Sequence, residues 1–274
     1  MPLIRNSRVT AAGQVFLFLA VLSTKIYGQE RQIVITDTPR PLAAAALELE
    51  HKYGVLVNYE DPPYEYSGDM MQYTPKPGKG AVVVPAKRNS FSISLLSDNT
   101  ERTARNADFV SSAVNAYNAL ENPEKFRFVQ HDDVFTILPT QGRDRAGLAT
   151  AIQSPLDVPI TIASESVSLL AAIEMICDSI NAALKRQTVV VGTIPTNLFL
   201  QRQVTLSADN TPARTLLEQI LPVTAESDIR AVRYRVVWRL LYGPDTKVWA
   251  LNIHIAQREA HVPGFRQPML TPIR

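Results

Sequence analysis

The chain has 274 residues, 46% of them hydrophobic and 20% charged, a composition that suits a folded protein of one or two domains. Its formal charge of +2 comes from the first 28 residues. Arg5, Arg8 and Lys25 precede the first acid, Glu30, and taking those three from the 28 basic residues leaves 25 against 26 acidic. A near-neutral body has no electrostatic footprint for nucleic acid or for an anionic membrane surface.

Residues 1–28 have the layout of a secretory signal peptide. Arg5 and Arg8 come first, then the apolar run Val15-Phe16-Leu17-Phe18-Leu19-Ala20-Val21-Leu22, then small and polar residues. Cleavage after Gly28 and cleavage after Ser23 both fit the pattern. The apolar run is far shorter than the roughly 20 residues of a spanning helix. The sequence therefore predicts an exported product, periplasmic or secreted, with no stable membrane insertion after cleavage. The single cysteine, Cys177, allows no intrachain disulfide, so the core must carry the stability. Cys177 lies among Ile173, Ile176 and Ile180 on a helical pattern and reads as a small buried hydrophobe.

In chain order, Gln32-Ile33-Val34-Ile35-Thr36 reads as a strand. Thr38-Pro39 gives a helix cap followed by proline, and Leu42, Ala45, Ala46, Leu49 and Tyr53 recur at helical spacing before the stop at Gly54. Val55 to Tyr59 is the next strand. Residues 60–89 are rich in Pro, Gly and Tyr and read as a long loop. Phe91 to Leu95 resumes as a strand. Thr100 can cap a helix carrying Ala107, Val110, Val114 and Tyr117, and Phe126–Val129 and Val134–Ile137 flank the turn His131-Asp132-Asp133.

The second half repeats the order. Pro159–Ile162 is a strand, and Ser166 can cap a helix with Leu169, Ile173, Ile176, Ile180 and Leu184. Thr188–Gly192 and Val204–Leu206 are strands. Thr211-Pro212 repeats the cap-plus-proline signal ahead of Leu216, Leu217 and Ile220, and Tyr234–Tyr242 and Lys247–Ile255 flank the hairpin turn Gly243-Pro244-Asp245-Thr246. A local echo, Leu96-Ser97-Asp98-Asn99-Thr100 against Leu206-Ser207-Ala208-Asp209-Asn210-Thr211, accompanies the repeat. The expectation is an α+β protein of two tandem β-α-β–β-α-β-β modules, with small mixed sheets and helices packed on one face. The modules span 29–139 and 158–258, the linker 140–157, and the tail 259–274, rich in proline, is expected to be disordered.

Ile33-Val34-Ile35, Pro41-Leu42, Leu49, Tyr53-Gly54-Val55 and Val57-Asn58-Tyr59 resemble the short N-terminal domain of secretins and TonB-dependent receptors (STN). In the second half only the order of elements is shared. The resemblance implies a small periplasmic module for protein–protein contact in signalling or envelope assembly. No outer-membrane barrel or plug follows here, so what it implies is the isolated module pair.

The chemistry-bearing residues fit no reaction pattern. His51, His131, His254 and His261 lack metal-ligand spacing, and Asp132-Asp133 reads as a turn. No Gly-x-Ser-x-Gly elbow or Ser-x-x-Lys occurs, and Gly78-Lys79-Gly80 lacks the rest of a phosphate loop. The sequence thus predicts no catalytic residue, no metal and no cofactor. The stretch Tyr59, Glu60, Asp61, Tyr64 and Tyr66 is the candidate partner-binding surface, because tyrosine on a proline-stiffened backbone offers contact area at low ordering cost; the alternative is that these tyrosines pack the loop onto its own module. Tyr234, Val236, Trp238, Leu240 and Tyr242 share one strand face and read as core, with Trp249 opposite. The last strand, ending Asn252-Ile253-His254-Ile255, can be a sheet edge open to a partner strand. The expected function is a non-enzymatic interaction protein that binds an envelope protein or itself. The alternative is a periplasmic small-molecule or glycan binder, or a hydrolase, with its site between the modules.

Overall fold

A computed structural model describes residues 32–36, 38–74, 80–96, 99, 101–186, 188–222 and 232–260. The leader, the tail from 261, and Ser97, Asp98 and Thr100 of the local echo lie outside the described residues, and the side chain of Tyr234 is not among those described. The first half runs β1 (Gln32–Ile35), α1 (Pro41–Tyr53), β2 (Leu56–Glu60), β3 (Met70–Tyr73), β4 (Val82–Pro85), β5 (Phe91–Ser94), α2 (Arg102–Asn118), β6 (Lys125–His131), β7 (Val134–Arg143) and β8 (Ala149–Ala151). The second runs β9 (Pro159–Ser168), α3 (Leu169–Leu184), β10 (Val189–Val191), α4 (Thr196–Gln201), β11 (Gln203–Pro212), α5 (Ala213–Ile220), β12 (Val232–Gly243) and β13 (Val248–Ala260). The fold is α+β.

Local chemistry accounts for most boundaries. Gly54 ends α1 in the left-handed region, φ 66°, with its N–H on the Glu50 carbonyl. Glu101, rather than Thr100, caps α2 by accepting the N–H groups of Thr103 and Ala104. Ser168, two residues beyond the expected Ser166, caps α3 through the Ala171 N–H at 3.1 Å. Asp132 takes a positive φ of 52° at the β6–β7 turn, as its place in a tight hairpin requires.

Each half repeats one pairing scheme. β1 pairs β5 and β9 pairs β11, both antiparallel. β2 lies parallel to β7, which is antiparallel to β6; β10 lies parallel to β13, which is antiparallel to β12. The central sheets of the two modules do not stay separate, as the sequence suggested. β12 pairs β2 in parallel, Arg239 opposite Tyr59 and Leu240 opposite Glu60. One sheet results, ordered β10-β13-β12-β2-β7-β6, with β8 on the end of β7. The last strand, β13, is therefore an interior strand between β10 and β12, not an edge.

Side-chain alternation places the helices. Val57 and Tyr59 join a hydrophobic cluster with Leu42, Leu49, Phe109, Val110 and Tyr117 of α1 and α2. Trp238, Leu240 and Tyr242 point the other way, into a second cluster with α3 and α5. Helices thus cover one face of each module's share of the sheet, but opposite faces of the whole. Tyr64 from the long loop and Leu156 from the linker enter the second cluster, so segments of the first half help to complete the core of the second.

Candidate functional site

β2 is buried along its whole length, yet Asn58, Glu60 and the following Asp61 are polar. Buried polar groups need partners, and here most come from the second half. Asn58 Oδ1 accepts the Trp238 N–H at 2.9 Å, and its Nδ2 donates to Thr136 Oγ1 at 3.2 Å. Asp61 Oδ2 accepts Arg40 Nε at 2.6 Å and the Tyr242 N–H at 2.9 Å. The Asp61 N–H donates to the Leu240 carbonyl at 2.8 Å, and its own carbonyl accepts Trp249 Nε1 at 3.2 Å. Arg40 Nη2 adds a bond to the Tyr242 carbonyl at 2.7 Å.

Glu60 pairs with Arg214 of α5, whose Nε and Nη2 also reach Asp157 Oδ1 at 3.0 and 2.8 Å. The Arg214 guanidinium lies 5.9 Å from the centre of the Trp238 ring. On the opposite face, His254 Nε2 lies 2.9 and 3.0 Å from the two Glu50 oxygens, with Arg239 Nη2 at 3.5 Å. Arg235 pairs with Asp133 at the β6–β7 turn. In these cross-half pairs with Glu50, Glu60 and Asp133, the acid belongs to the first half and the base to the second. Complementary charge therefore fixes which strands meet and in what register.

Burial raises the pKa of Glu60 and of Asp61 above the ordinary carboxylate range, against the pull of Arg214 and Arg40 respectively. Burial also raises the Tyr59 and Tyr64 phenols well above their usual value. The Cys177 thiol is pushed up to about 12 by burial, so it is held as a neutral thiol.

Beside the Glu60–Arg214 pair lies a half-open pocket of about 150 Å³, lined on its polar side by Glu60, Arg127, Ser154, Asp157 and Arg214. Leu138, Pro139 and Ile152 supply its apolar wall. Residues of both halves and of the linker contribute, so the pocket exists only when the seam is closed. Among the described residues, no group of three or more His, Cys, Asp and Glu is placed to hold a metal ion.

Tyr59, Glu60, Asp61 and Tyr64, singled out from sequence as a partner surface, are only 1, 1, 2 and 6% exposed. They form the seam instead. Tyr64 packs on Tyr242, ring centres 6.4 Å apart. Tyr66 is half-buried under Arg143, 5.4 Å away. Its ring fits because Gly68 and Gly147 lack side chains: a Cβ there would fall 2.4 and 2.9 Å from the ring. Arg40, Asp157 and Arg214 were not visible as site residues in the sequence, because their partners lie far along the chain or carry no motif. The chain matches no protein family, no curated protein and no solved structure.

The long loop contains the β3–β4 hairpin, Tyr73 opposite Val82, which pairs with no other strand among the described residues. Its base is fixed by Arg88, which reaches Asp69 Oδ1 at 3.0 Å and also pairs with Glu124. At the far end of the pairing, Tyr73 is 51% and Val82 39% exposed.

Proposed function

We propose that this chain is an exported, non-enzymatic protein–protein interaction module of the cell envelope, related in plan to the STN domain and acting in the periplasm. The observation that carries this reading is the β3–β4 hairpin: a rigidly based arm that presents an aromatic–aliphatic pair to solvent. Such a pair offers contact area at little ordering cost. The buried acids and bases are occupied in joining the halves, whereas the arm pairs with no other strand among the described residues and sets an exposed aromatic residue opposite an exposed aliphatic one. A photo-crosslinking residue at Tyr73 should capture one reproducible envelope protein in intact cells, whereas the same residue at exposed Glu174 on α3 should not. Val82→Asp should abolish the capture without moving the thermal transition. Equal capture from both positions, or capture indifferent to Val82→Asp, would overturn the reading.

A second reading, a small-molecule binder, is favoured by the pocket at the seam. Its volume is close to that of an engineered cavity, about 150 Å³, that holds benzene. Its mixture of guanidinium and carboxylate groups suits a small zwitterion. Titration calorimetry with glycine and alanine tests it: saturable heat that disappears in Arg127→Ala supports a binder, and flat traces for the parent chain exclude this ligand class.

A further inference from the structure

Two side-chain amides close the two outer edges of the long sheet. On β6, Asn118 Nδ2 donates to the Phe126 carbonyl at 2.7 Å, and its Oδ1 accepts the Phe126 N–H at 3.0 Å. On β10, Asn181 Nδ2 donates to the Val189 carbonyl at 2.8 Å, and its Oδ1 accepts the N–H groups of Val189 and Thr188 at 2.9 and 2.7 Å. Each amide supplies one donor and one acceptor to one outward-facing residue, which is what a neighbouring strand would supply.

The seam shows what these edges would otherwise meet. His131 pairs with Val134 and Gly243 with Val248 across the two hairpin turns, so counting back places Phe126 of β6 where Trp238 stands in β12. The Trp238 N–H is taken by Asn58, a side chain of the adjoining strand β2. The Phe126 N–H is taken by Asn118 of its own module. The inner edge of β2 and the outer edge of β10 differ in the same way. Both preceding helices end on a left-handed residue, Gly54 and Lys185, and Glu50 and Asn181 stand four residues before them. Asn181 turns onto the edge of β10. Glu50 turns instead to His254 and Arg239 of the second half, leaving β2 open to β12.

We propose that Asn118 and Asn181 are edge stops that hold the sheet to one chain, and that the edges they cover fit a second copy of this chain, joined head to tail as β12 joins β2. β6 of one copy would lie parallel to β10 of the next. Such a contact is heterologous: it consumes one β6 edge and one β10 edge and leaves one of each free to continue.

This asymmetry gives a sharp test by sedimentation or light scattering on the full chain. The parent, Asn118→Ala alone and Asn181→Ala alone should each keep the mass of one chain, because every junction would still meet one stop. Mixing the two single variants should double the mass and stop there. The double variant should instead grow with concentration, and adding Phe128→Pro, which removes the next outward N–H of β6, should return it to one chain. A mixture that stays at the mass of one chain, with both variants folded by circular dichroism, would overturn the proposal, as would a single variant that pairs with itself. If alanine prevents folding, Asn→Asp at each site keeps the accepted N–H but loses the donor, and the same mixing experiment decides.

Discussion

Glu60 shows at the scale of one residue how a buried charge is set by competing terms. Its side chain is almost wholly enclosed, Arg214 pulls its pKa down, and burial, the larger effect, pushes it up. A carboxylate whose folded pKa lies above its unfolded value binds its proton more tightly in the native state. The native state therefore loses stability as pH rises from the ordinary value of 4.5 to the raised one. Glu60→Gln does not titrate, so its stability relative to the parent should be flat below 4.5, move in the variant's favour as pH rises from 4.5 to the raised pKa, and be flat again above it. Urea unfolding at a series of pH values measures this directly. A parent that gains on the variant with rising pH would mean that Arg214, not burial, dominates. The sequence placed Glu60 in a notable stretch, but for the wrong environment. Adjacent Pro and Tyr residues suggested exposure, whereas Arg214 and Trp249, which meet Glu60 and Asp61, lie 154 and 188 residues away.

At the scale of elements, much was legible because the signals are local. Period-3.6 apolar spacing located α1, α2, α3 and α5, and the Gly54 stop and the Asp132 turn stand where the backbone needs them. Three kinds of feature were not legible. β9 and β11 each run for ten residues because they pair with one another along their length. Their exposed ends, such as Ser164–Ser166, carry polar side chains that give no periodic signal. β3 and β4 were hidden inside a stretch punctuated by Pro75, Pro77, Gly78 and Gly80, where composition argues for loop. What makes them a hairpin is the fixed base: Arg88 between Asp69 and Glu124, and the Ala86 N–H on the Asp69 carbonyl at 2.8 Å. The repeat itself was visible as an order of elements, but not the strand that joins the copies. A parallel β12–β2 contact of two residue pairs leaves no periodic mark on either sequence.

For the whole molecule, the seam decides whether two cores behave as one. The described residues between 32 and 260 fall in a single compact unit, although the hydrophobic residues divide into two groups, one for each half. The ties between them are the buried pairs of β2, the β12–β2 ladder, Tyr64 and Leu156. Asp61 concentrates several of these ties, holding Arg40, the Tyr242 N–H, the Leu240 carbonyl and Trp249 Nε1. Asp61→Ala leaves the half-buried Arg40 guanidinium with only the Tyr242 carbonyl and the Tyr242 N–H with no acceptor, a loss of about 1–3 kcal/mol for a buried polar group that loses its partner. That loss falls on the junction rather than on either core. Both tryptophans, Trp238 and Trp249, belong to the second half, so their fluorescence follows that half, while far-ultraviolet circular dichroism follows both. In the parent chain the two signals should unfold with one midpoint in urea, because Tyr64 completes the second core, Leu241 packs against the first, and buried pairs join them. In Asp61→Ala they should separate, the first half melting at lower denaturant. Coincident curves shifted together would mean that the remaining seam contacts suffice to keep the halves cooperative. Separate curves in the parent would show that the pairing of β12 with β2 joins two modules without coupling them.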